Sequence, residues 1–327
     1  MKKSLCLLLV ISMMMLLLAA CGGKKEEAGQ ERLPNLMVMA GPTGVGAAKL
    51  LSDHAAGDVQ VLASGTVVAD NEAVTSALIN GEADIAAIAT NMASTLYNKM
   101  GGDLQVLAIN TMGVLYIMEK GSTLEKIEDL RGKTLYATGK GANPEYIINY
   151  LLTSNGVDPS EVDIQWMTAQ EVTAAMVTSE DGICMLPVPA ATALMIKDSE
   201  VREAISLSEE WDALGNGALA QGCIVARKSY VEANPQAVAK FLQAYEASIT
   251  YMKAPENRAD AAALVAEHGI TANAAIAAKA IDQCNLTYVV GQEMQQMLVS
   301  FLGVMYAANP ASIGGKMPGD DFYYGVG

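Results

Sequence analysis

Thr138–Tyr146, with the sequence TGKGANPEY, is the stretch from which the fold can be worked out. It follows a short apolar run at 133–137 and precedes an apolar run with helical spacing at 146–152. This order predicts a strand, a glycine-rich turn and a helix. Asn143 suits the N-cap position and Pro144 the first helical residue, where a missing N–H costs nothing. The free N–H groups of that turn would suit an anionic or electron-rich molecule, although the stretch could also be an ordinary loop.

The same order of elements occurs 98 residues earlier in the chain. Gly41 aligns with Gly139, and the segment 74–79 aligns with its counterpart without a gap. The run 59–63, interpreted as a strand, meets its counterpart near 162–166 only after a small shift. Identical pairs are few, so any one pair could match by chance, but the shared order is harder to explain that way. We therefore expect two α/β lobes of similar design.

The predicted strands are almost continuously apolar, as at 84–89 and 104–109. Such strands are typical of a mostly parallel sheet that is covered on both faces. Two extended segments, 105–118 and 217–226, should cross between the lobes and allow hinge closure. The predicted boundaries give 33–113 and 222–327 to the first lobe and 114–221 to the second.

Beyond residue 230 the chain should be helical. Asn234-Pro235 repeats the pattern of a cap followed by proline, and apolar residues then recur at helical spacing. Thr271 is the expected cap of a later helix, and 292–306 the last helix. We expect these helices to pack together on the first lobe.

The first 20 residues are predicted to be a signal rather than part of the fold. Lys2 and Lys3 precede an apolar run at 7–18, which is short for a membrane-spanning helix of about 20 residues. The small residues before Cys21 resemble the lipobox of bacterial lipoproteins, which implies cleavage before Cys21 and lipid on its sulfur and amine. A plain signal anchor is the alternative. Residues 21–32 carry almost no apolar side chains and predict a flexible tether.

Composition limits the classes of partner. The formal net charge is −15, which argues against nucleic acid and against adsorption on anionic lipid. No second long apolar run occurs, so the lipid anchor should be the only membrane attachment. About 300 mature residues suit two lobes rather than one small core, and we expect a monomer.

Cysteine and histidine give little support to metal or redox chemistry. Cys184, Cys223 and Cys284 are widely spaced without a C-x-x-C motif, so each is interpreted as a buried small hydrophobe, with one disulfide left open. His54 and His268 lack a partner at metal-ligand spacing. We expect no metal, no cofactor and no catalytic residues.

Ligands of open α/β sheets bind at the carboxyl ends of the strands, and two facing lobes form a cleft there. Three loops of each lobe should line this cleft: 42–45, 64–66 and 90–92, then 139–143, 166–168 and 187–189. The candidate binding residues are Pro42, Thr43, Gly44, Ser64, Gly65, Thr66, Thr90, Asn91, Asn110, Lys140, Gly141, Ala142, Asn143, Thr168, Pro187 and Val188.

Basic residues are scarce in these loops, where Lys140 stands alone and no arginine occurs. A multiply charged anion normally requires a bidentate arginine, so it is disfavoured. Two ligand classes stay open: a monoanion held by N–H groups, and a neutral heterocycle resting on Tyr97, Tyr146 or Trp166.

Several segments together resemble a known family. They are GEADIAA at 81–87, DLRGKT at 129–134, the loop at 139–143 and the lipobox. The chain is similar to the solute-binding lipoproteins of ABC importers, in the branch that binds nitrate, sulfonates and taurine, or pyrimidine precursors of thiamine. The resemblance extends from residue 33 to about residue 305 and implies a type II periplasmic-binding-protein fold. It also implies closure on a small-molecule solute and delivery to an ABC permease with a cytoplasmic ATPase.

Two other functions stay open on the same fold. One is an enzyme of the kind found in pyrimidine synthesis or the menaquinone pathway, and the other is a sensor that presents a ligand to a receptor. A lipid anchor on the extracytoplasmic face of the cell membrane fits import and fits a cytosolic biosynthetic enzyme poorly.

Overall fold

The structure is a computed structural model and describes residues 31–326. The predicted signal at 1–20, lipidation of Cys21 and nearly all of the tether at 21–32 lie outside the described residues. None of the helices within the described range combines the length and hydropathy that crossing a bilayer requires.

Eleven strands are present in the described part of the chain. In chain order they are β1 (Asn35–Met39), β2 (Ser64–Val68), β3 (Ile85–Ala89), β4 (Gln105–Met112), β5 (Leu115–Lys120), β6 (Thr134–Ala137), β7 (Asp163–Trp166), β8 (Ile183–Pro187), β9 (Val201–Ser206), β10 (Ala220–Ala226) and β11 (Leu286–Val289). They form a six-stranded sheet with the order β11-β4-β10-β3-β1-β2 and a five-stranded sheet with the order β7-β6-β8-β5-β9.

The two sheets are built alike. In the first, β1 runs parallel to β2 and β3, and β10 lies antiparallel between β3 and β4. In the second, β6 runs parallel to β7 and β8, and β5 lies antiparallel between β8 and β9. Each sheet therefore has three parallel strands next to one antiparallel strand, which in the first sheet comes from a distant part of the chain, and the predicted repeat is confirmed.

Thirteen α-helices lie within the described residues. They are α1 (Pro42–Val45), α2 (Ala48–Ala56), α3 (Asn71–Asn80), α4 (Thr90–Lys99), α5 (Asn143–Ser154), α6 (Ala169–Thr178), α7 (Ala190–Lys197), α8 (Leu207–Ala213), α9 (Lys228–Ala233), α10 (Pro235–Lys253), α11 (Arg258–Glu267), α12 (Ala274–Ala280) and α13 (Gly291–Ala308). Short 3₁₀ turns occupy Ile127–Leu130, Pro159–Glu161, Pro255–Asn257, Ile281–Cys284, Pro310–Ile313 and Asp320–Phe322.

The 98-residue repeat holds along the chain without the small shift that was expected between 59–63 and 162–166. The helices α3 and α6 lie 98 residues apart, and so do the strands β3 and β8. The prediction of a strand at 59–63 is wrong, because β2 starts at Ser64 and pairs with β1 from Asn35 onward. Propensity does not separate the two runs, since each contains two valines, and the pairing of β2 with β1 decides where the strand lies. With β2 placed there, its counterpart β7 follows at the same offset.

The chain passes between the sheets near Gly113 and Val114, since β4 ends at Met112 and β5 starts at Leu115. Two amides hold this crossing in place. Asn285 Nδ2 donates to the Gly113 carbonyl at 2.6 Å, and Gln221 Oε1 accepts from the Val114 N–H at 3.2 Å.

The C-terminal part departs from the prediction in two ways. The cap of α12 is Asn273 rather than Thr271, because the Asn273 side chain accepts the Ile276 N–H at 3.0 Å. The last helix, α13, does not pack on the first sheet alone, since it contacts β4 and β10 of the first sheet and also α5. Its Phe301 ring lies 5.5 Å from Trp211 of α8, so an apolar contact spans both halves.

Candidate functional site

The predicted loop at 42–45 is a short helical turn, α1, that follows β1 directly. Gly41 adopts φ 106°, a conformation that favours glycine, and this lets the chain turn at the end of the strand. A Cβ on Gly44 would lie 2.2 Å from the Met39 carbonyl oxygen, so only glycine fits there. The turn directs the Thr43 carbonyl towards Asn110 Nδ2, at 2.9 Å.

Ser64, Gly65 and Thr66 do not form a loop, so this prediction is wrong. They are the first residues of β2, and Ser64 pairs with Asn35 at the start of β1. Since β1 and β2 are parallel, Ser64 lies at the amino end of the sheet, roughly 13 Å of strand from the carboxyl edge. The carboxyl end of β2 leads instead to Asp70, whose side chain caps α3 through the Ala73 N–H at 2.8 Å.

Thr90 and Asn91 are the first two residues of α4 rather than a loop. Both are buried. Thr90 Oγ1 donates to the Ala220 carbonyl at 2.7 Å, and Asn91 Nδ2 donates to the Ser312 carbonyl at 3.1 Å. Both side chains therefore tie the start of α4 to neighbouring elements.

Asn143 is not an N-cap, because Ala142 holds that position without a side-chain bond. The Asn143 side chain is fully buried and reaches the first sheet instead. Its Nδ2 donates to Thr90 Oγ1 at 3.1 Å and to the Gln221 carbonyl at 2.8 Å, while its Oδ1 accepts the Asn91 N–H at 3.3 Å. A candidate binding residue of the second half thus bonds directly to two candidates of the first half.

Asn110 lies within β4, which extends beyond the strand predicted at 104–109. Its Nδ2 donates to the Thr43 carbonyl and to the Tyr245 hydroxyl, both at 2.9 Å, while its buried Oδ1 accepts no hydrogen bond from the residues that the structure describes. A Cβ on Gly222 would lie 2.8 Å from this oxygen and 2.5 Å from Thr43 Cγ2. Glycine in β10 therefore allows the close approach of β10 to this cluster. Burial raises the pKa of the Tyr245 phenol, which stays protonated as a donor or acceptor.

The loop that starts at Gly139 is a tight turn with exposed Lys140 and Gly141. Gly139 and Gly141 both have positive φ, at 88° and 76°. The Gly141 N–H donates to Glu145 Oε2 at 2.5 Å, so a carboxylate of the chain occupies this loop. Ala142 behind it is buried.

Two further predicted positions lie at the ends of β7 and β8. Thr168 is exposed and caps α6, where its N–H and hydroxyl both donate to Glu171 Oε2 at 2.8 Å. These bonds lower the pKa of the Glu171 carboxyl. Pro187 ends β8, and the buried Val188 joins an apolar cluster that also contains Val45 of α1.

The three aromatic candidates lie apart. The Tyr97 ring packs on Phe322 at 5.2 Å, and its hydroxyl donates to Asp321 at 2.6 Å, so it holds the C-terminal segment. Tyr146 lines a groove of about 520 Å³ between α5 and the end of α13. Trp166 ends β7 and is partly buried against the larger core cluster.

Cys184, Cys223 and Cys284 are buried free thiols, which leaves no disulfide among them. Burial raises the pKa of Cys284 to about 12, so its thiol is not a ready nucleophile. Within the described residues, no group of histidine, cysteine and carboxylate side chains has the arrangement of a metal site.

Two participants in the buried polar cluster were not predicted. Gln221 supplies its carbonyl to Asn143 and its side chain to Val114, and Tyr245 bonds to Asn110. Gln221 could have been suspected, because it is the one polar side chain in an apolar run of β10. Tyr245 sits in an ordinary apolar helical pattern, and its sequence context carries no such signal.

The order of the strands, the repeated lobes and the strand-end clusters describe a two-lobed α/β protein. The family model described as NMT1/THI5 like matches residues 66–259, which is more than half of the chain. This chain belongs to the NMT1/THI5-like family. No curated protein matches the sequence.

Solved structures share the architecture of this NMT1/THI5-like chain. An ABC transporter structure from Parabacteroides distasonis is 25% identical to this chain, with a TM-score of 0.72. The match covers 89% of this chain and 98% of the chain in that structure. The periplasmic aliphatic sulphonate binding protein SsuA from Escherichia coli is 16% identical over 89% and 93% of the two chains, with a TM-score of 0.69.

The periplasmic nitrate-binding protein NrtA from Synechocystis PCC 6803 is 15% identical to this chain, with a TM-score of 0.54. The match covers 72% of this chain and 67% of the NrtA chain. These likenesses establish the fold of the periplasmic binding proteins, and the predicted fold class is confirmed.

Proposed function

We propose that this protein is an extracytoplasmic solute-binding protein that captures a small molecule between its two lobes and delivers it to an ABC import permease. The observation that carries this proposal is the meeting of strand-end residues from both sheets, where Asn143 bonds to Thr90 and to Asn91. A site divided between two similar lobes suits capture by closure, because a solute can contact both halves at once.

The family and the similar structures support the same function. The structure that is 25% identical to this chain comes from a protein described as an ABC transporter, and its full length is nearly covered. The sulphonate- and nitrate-binding proteins share the fold. No catalytic role is included in the proposal, since the strand-end side chains that carry it, Asn143, Thr90 and Asn110, are amides and a hydroxyl engaged in structural hydrogen bonds.

The proposal includes the predicted lobes, 33–113 with 222–327 and 114–221, and the candidate binding residues at the strand ends. It also includes a lipid on Cys21, a tether at 21–32 and a monomer held at the membrane by that lipid alone. The support for the anchor is the sequence before Cys21.

Solute binding can be tested on protein that lacks residues 1–21. We expect one class of small molecule to raise the melting temperature with a stoichiometry of one per chain. The same compound should reduce the radius of gyration in X-ray scattering, because closure brings the lobes together. Catalytic turnover of a bound compound, or no stabilisation across a broad panel of metabolites, would contradict the proposal.

The anchor can be tested separately in cells by replacing Cys21 with alanine. We expect Cys21→Ala to move the protein from the membrane fraction to the soluble extracytoplasmic fraction, since a thioether-linked lipid cannot form on alanine. Cys184→Ala is the matched control, because it removes a buried thiol of the body. Retention of the Cys21→Ala protein in the membrane would instead indicate a plain signal anchor.

A further inference from the structure

We propose that the groove between α5 and the end of α13 is a second binding site, which takes an uncharged, ring-containing organic molecule and stabilises the contact between the lobes when it is occupied. The groove has a volume of about 520 Å³. Pockets that bind small organic ligands typically have volumes of about 300–1,000 Å³. The inference does not depend on the solute that binds at the strand ends, because the groove lies elsewhere.

The groove is formed by one face of α5 and the last turn of α13. The residues of α5 that line it recur at a spacing of mostly three or four positions, namely Tyr146, Asn149, Tyr150, Thr153 and Ser154. An α-helix rises about 1.5 Å per residue, so Asn149 and Ser154 lie about 9 and 16 Å along the axis from Asn143 at the strand end. The groove is therefore a separate place from the strand-end residues.

The lining of the groove is electrically neutral. Among the described residues that line it none carries a charge, in a chain whose formal net charge is −15. A cation would find no carboxylate in the lining to pair with. An anion would find no base there and would be disfavoured by the negative charge of the whole chain. Charge therefore favours an uncharged occupant.

Aromatic and aliphatic side chains supply most of the contact surface. Val304 and the buried Met305 lie on the α13 side, and Tyr146 and Tyr150 lie on the α5 side. The Tyr150 ring is fixed from behind, since it packs on the fully buried Trp211 at a centroid distance of 5.1 Å. A ring of the ligand can stack on such a wall without the cost of ordering the tyrosine first.

The groove also contains polar groups that are free to bind a ligand. Within the part of the chain that the structure describes, the Asn149 amide and the hydroxyls of Tyr146 and Ser154 form no hydrogen bond. Burial raises the pKa of Tyr146, which keeps its hydroxyl protonated. An amide and two hydroxyls can both donate and accept, so they suit an amide or hydroxyl group attached to the ring of the ligand.

Both walls of the groove are connected to the same hydrogen bond between the lobes. The helix α5 carries Asn143, whose Oδ1 accepts the Asn91 N–H at 3.3 Å. The helix α13 leads into the turn Pro310–Ile313, where the Ser312 carbonyl accepts a hydrogen bond from Asn91 Nδ2 at 3.1 Å. A molecule that contacts both walls therefore binds best when both bonds of Asn91 are formed. By linkage, it stabilises that arrangement by the same free energy.

The ligand class can be tested with compounds that differ only in charge. They are 3-phenylpropionamide and cyclohexanepropionamide, each compared with its carboxylate. Binding to protein without residues 1–21 is measured by calorimetry and by thermal shift. We expect the amides to bind about tenfold more tightly than the carboxylates, because the neutral lining leaves a charge unpaired. Tighter binding of a carboxylate would overturn the ligand class, and no binding by either amide would overturn the site.

Substitutions on each wall test the location of the site. Ala308→Phe of α13 and Ser154→Phe of α5 place a ring in the groove at exposed positions, so the fold should be kept while the affinity for both amides falls about tenfold. Ala263→Phe, at an exposed alanine of α11, is the matched control and should leave the affinity unchanged. Unchanged affinity in both groove variants would overturn the site. A parent protein that self-associates and becomes monomeric in both variants would instead assign the groove to a second copy of the chain.

The connection to the lobes has a test of its own. Asn143→Ala removes the bond to the Asn91 N–H and leaves the groove lining intact, so we expect the affinity for 3-phenylpropionamide to fall about fivefold. Asn273→Ala is the control, because it removes the cap of α12, which does not line the groove. Equal affinities in the parent and Asn143→Ala would overturn the coupling. None of these measurements uses the strand-end solute, so their failure would leave the proposed function intact.

Discussion

The bond between Asn143 and Thr90 has an apolar counterpart in the other half of the molecule. The 98-residue offset relates Asn143 to Val45, and it relates Thr90 to Val188. Asn143 and Thr90 are fully buried and joined by a hydrogen bond of 3.1 Å. Val45 and Val188 are also fully buried, and both belong to the same apolar cluster. Two equivalent pairs of positions thus differ in side-chain chemistry: one pair is polar and hydrogen-bonded, and the other is apolar.

This difference shows that the repeat preserves backbone positions and burial while the side-chain chemistry is free to change. A hydrogen bond fixes distance and direction, whereas apolar contact is non-directional. The Asn143 side should therefore define the closed geometry, and the Val45 side should contribute stability that tolerates small movements. The helix caps also keep their position while the residue changes. Asp70 of α3 corresponds to Thr168 of α6, and both side chains cap their helices.

The largest effect on stability is expected from replacing an apolar residue of the Val45–Val188 pair with a polar one. Val188→Asn should lower the free energy of unfolding by about 3–5 kcal/mol, since it removes a buried valine and places an amide without partners in an apolar cluster. Urea denaturation measures this loss in the free energy of unfolding. Ile196→Asn, in the helix α7 that follows Val188, is the control and should cost little, because Ile196 is 45% exposed. Equal losses in the two variants would show that Val188 is not part of the buried contact.

The turn at Gly139, the counterpart of Gly41, can be tested by a matched pair of glycine substitutions. Gly139→Ala should cost about 2–4 kcal/mol, because a residue with a side chain is strained at positive φ and its Cβ would lie 2.5 Å from the Pro144 ring. Gly141→Ala has the same sign of φ but open space around its Cβ, so we expect about 1 kcal/mol. Thermal denaturation should rank them in this order, and the reverse order would contradict the geometry of the turn.

Removing the polar contact should have a smaller effect on stability and a clearer one on shape. Asn143→Ala is expected to cost about 2 kcal/mol, since it leaves the Asn91 N–H and the Gln221 carbonyl without their partner. The decrease in the radius of gyration that the solute produces should be smaller than in the parent protein, because the closed form loses the bond between Asn143 and Thr90. Asn149→Ala, on the same helix, is the control. A decrease in Asn143→Ala as large as in the parent protein would refute its role in closure.

The smallest effect concerns the cap of α6. Hydrogen bonds from Thr168 lower the pKa of Glu171 below its ordinary value of 4.5. A depressed pKa in the folded state contributes stability above the ordinary value, and that contribution is lost as the pH falls through the folded value. Glu171→Gln should therefore show a smaller fall in melting temperature on acidification than the parent protein. Glu256→Gln is the control, and identical acid profiles for the parent and Glu171→Gln would exclude this contribution.

Much of the framework could be predicted from local sequence. The glycine turn, the proline-started helix and the apolar strands of the second lobe depend on neighbouring residues, and the repeat located the equivalent elements of the first lobe. The errors came from segments with two plausible local structures. The run at 59–63 alternates like a strand, but the strand starts at Ser64, because pairing with β1 decides its register.

The site was harder to predict than the fold. Asn143 was assigned to a helix cap because its position before Pro144 suits one, yet its side chain bonds across to Thr90. Tyr245 reaches Asn110 from a helix 135 positions further along the chain, and such a partner leaves no local pattern. The choice among hydrogen-bond partners depends on which elements meet, and this is not encoded in the spacing of neighbouring residues.

The sequence by itself determined the two-lobed α/β plan, the family resemblance and the scarcity of basic residues at the strand ends. These follow from periodicity, glycine and proline chemistry and composition, which act over a few residues at a time. Only the tertiary structure decided that Asn143 joins the lobes, that Val45 and Val188 share an apolar cluster, and that Asn110 bonds to the Thr43 carbonyl and to Tyr245. Burial and hydrogen-bond satisfaction are properties of the packed chain, because each depends on residues that are distant in sequence.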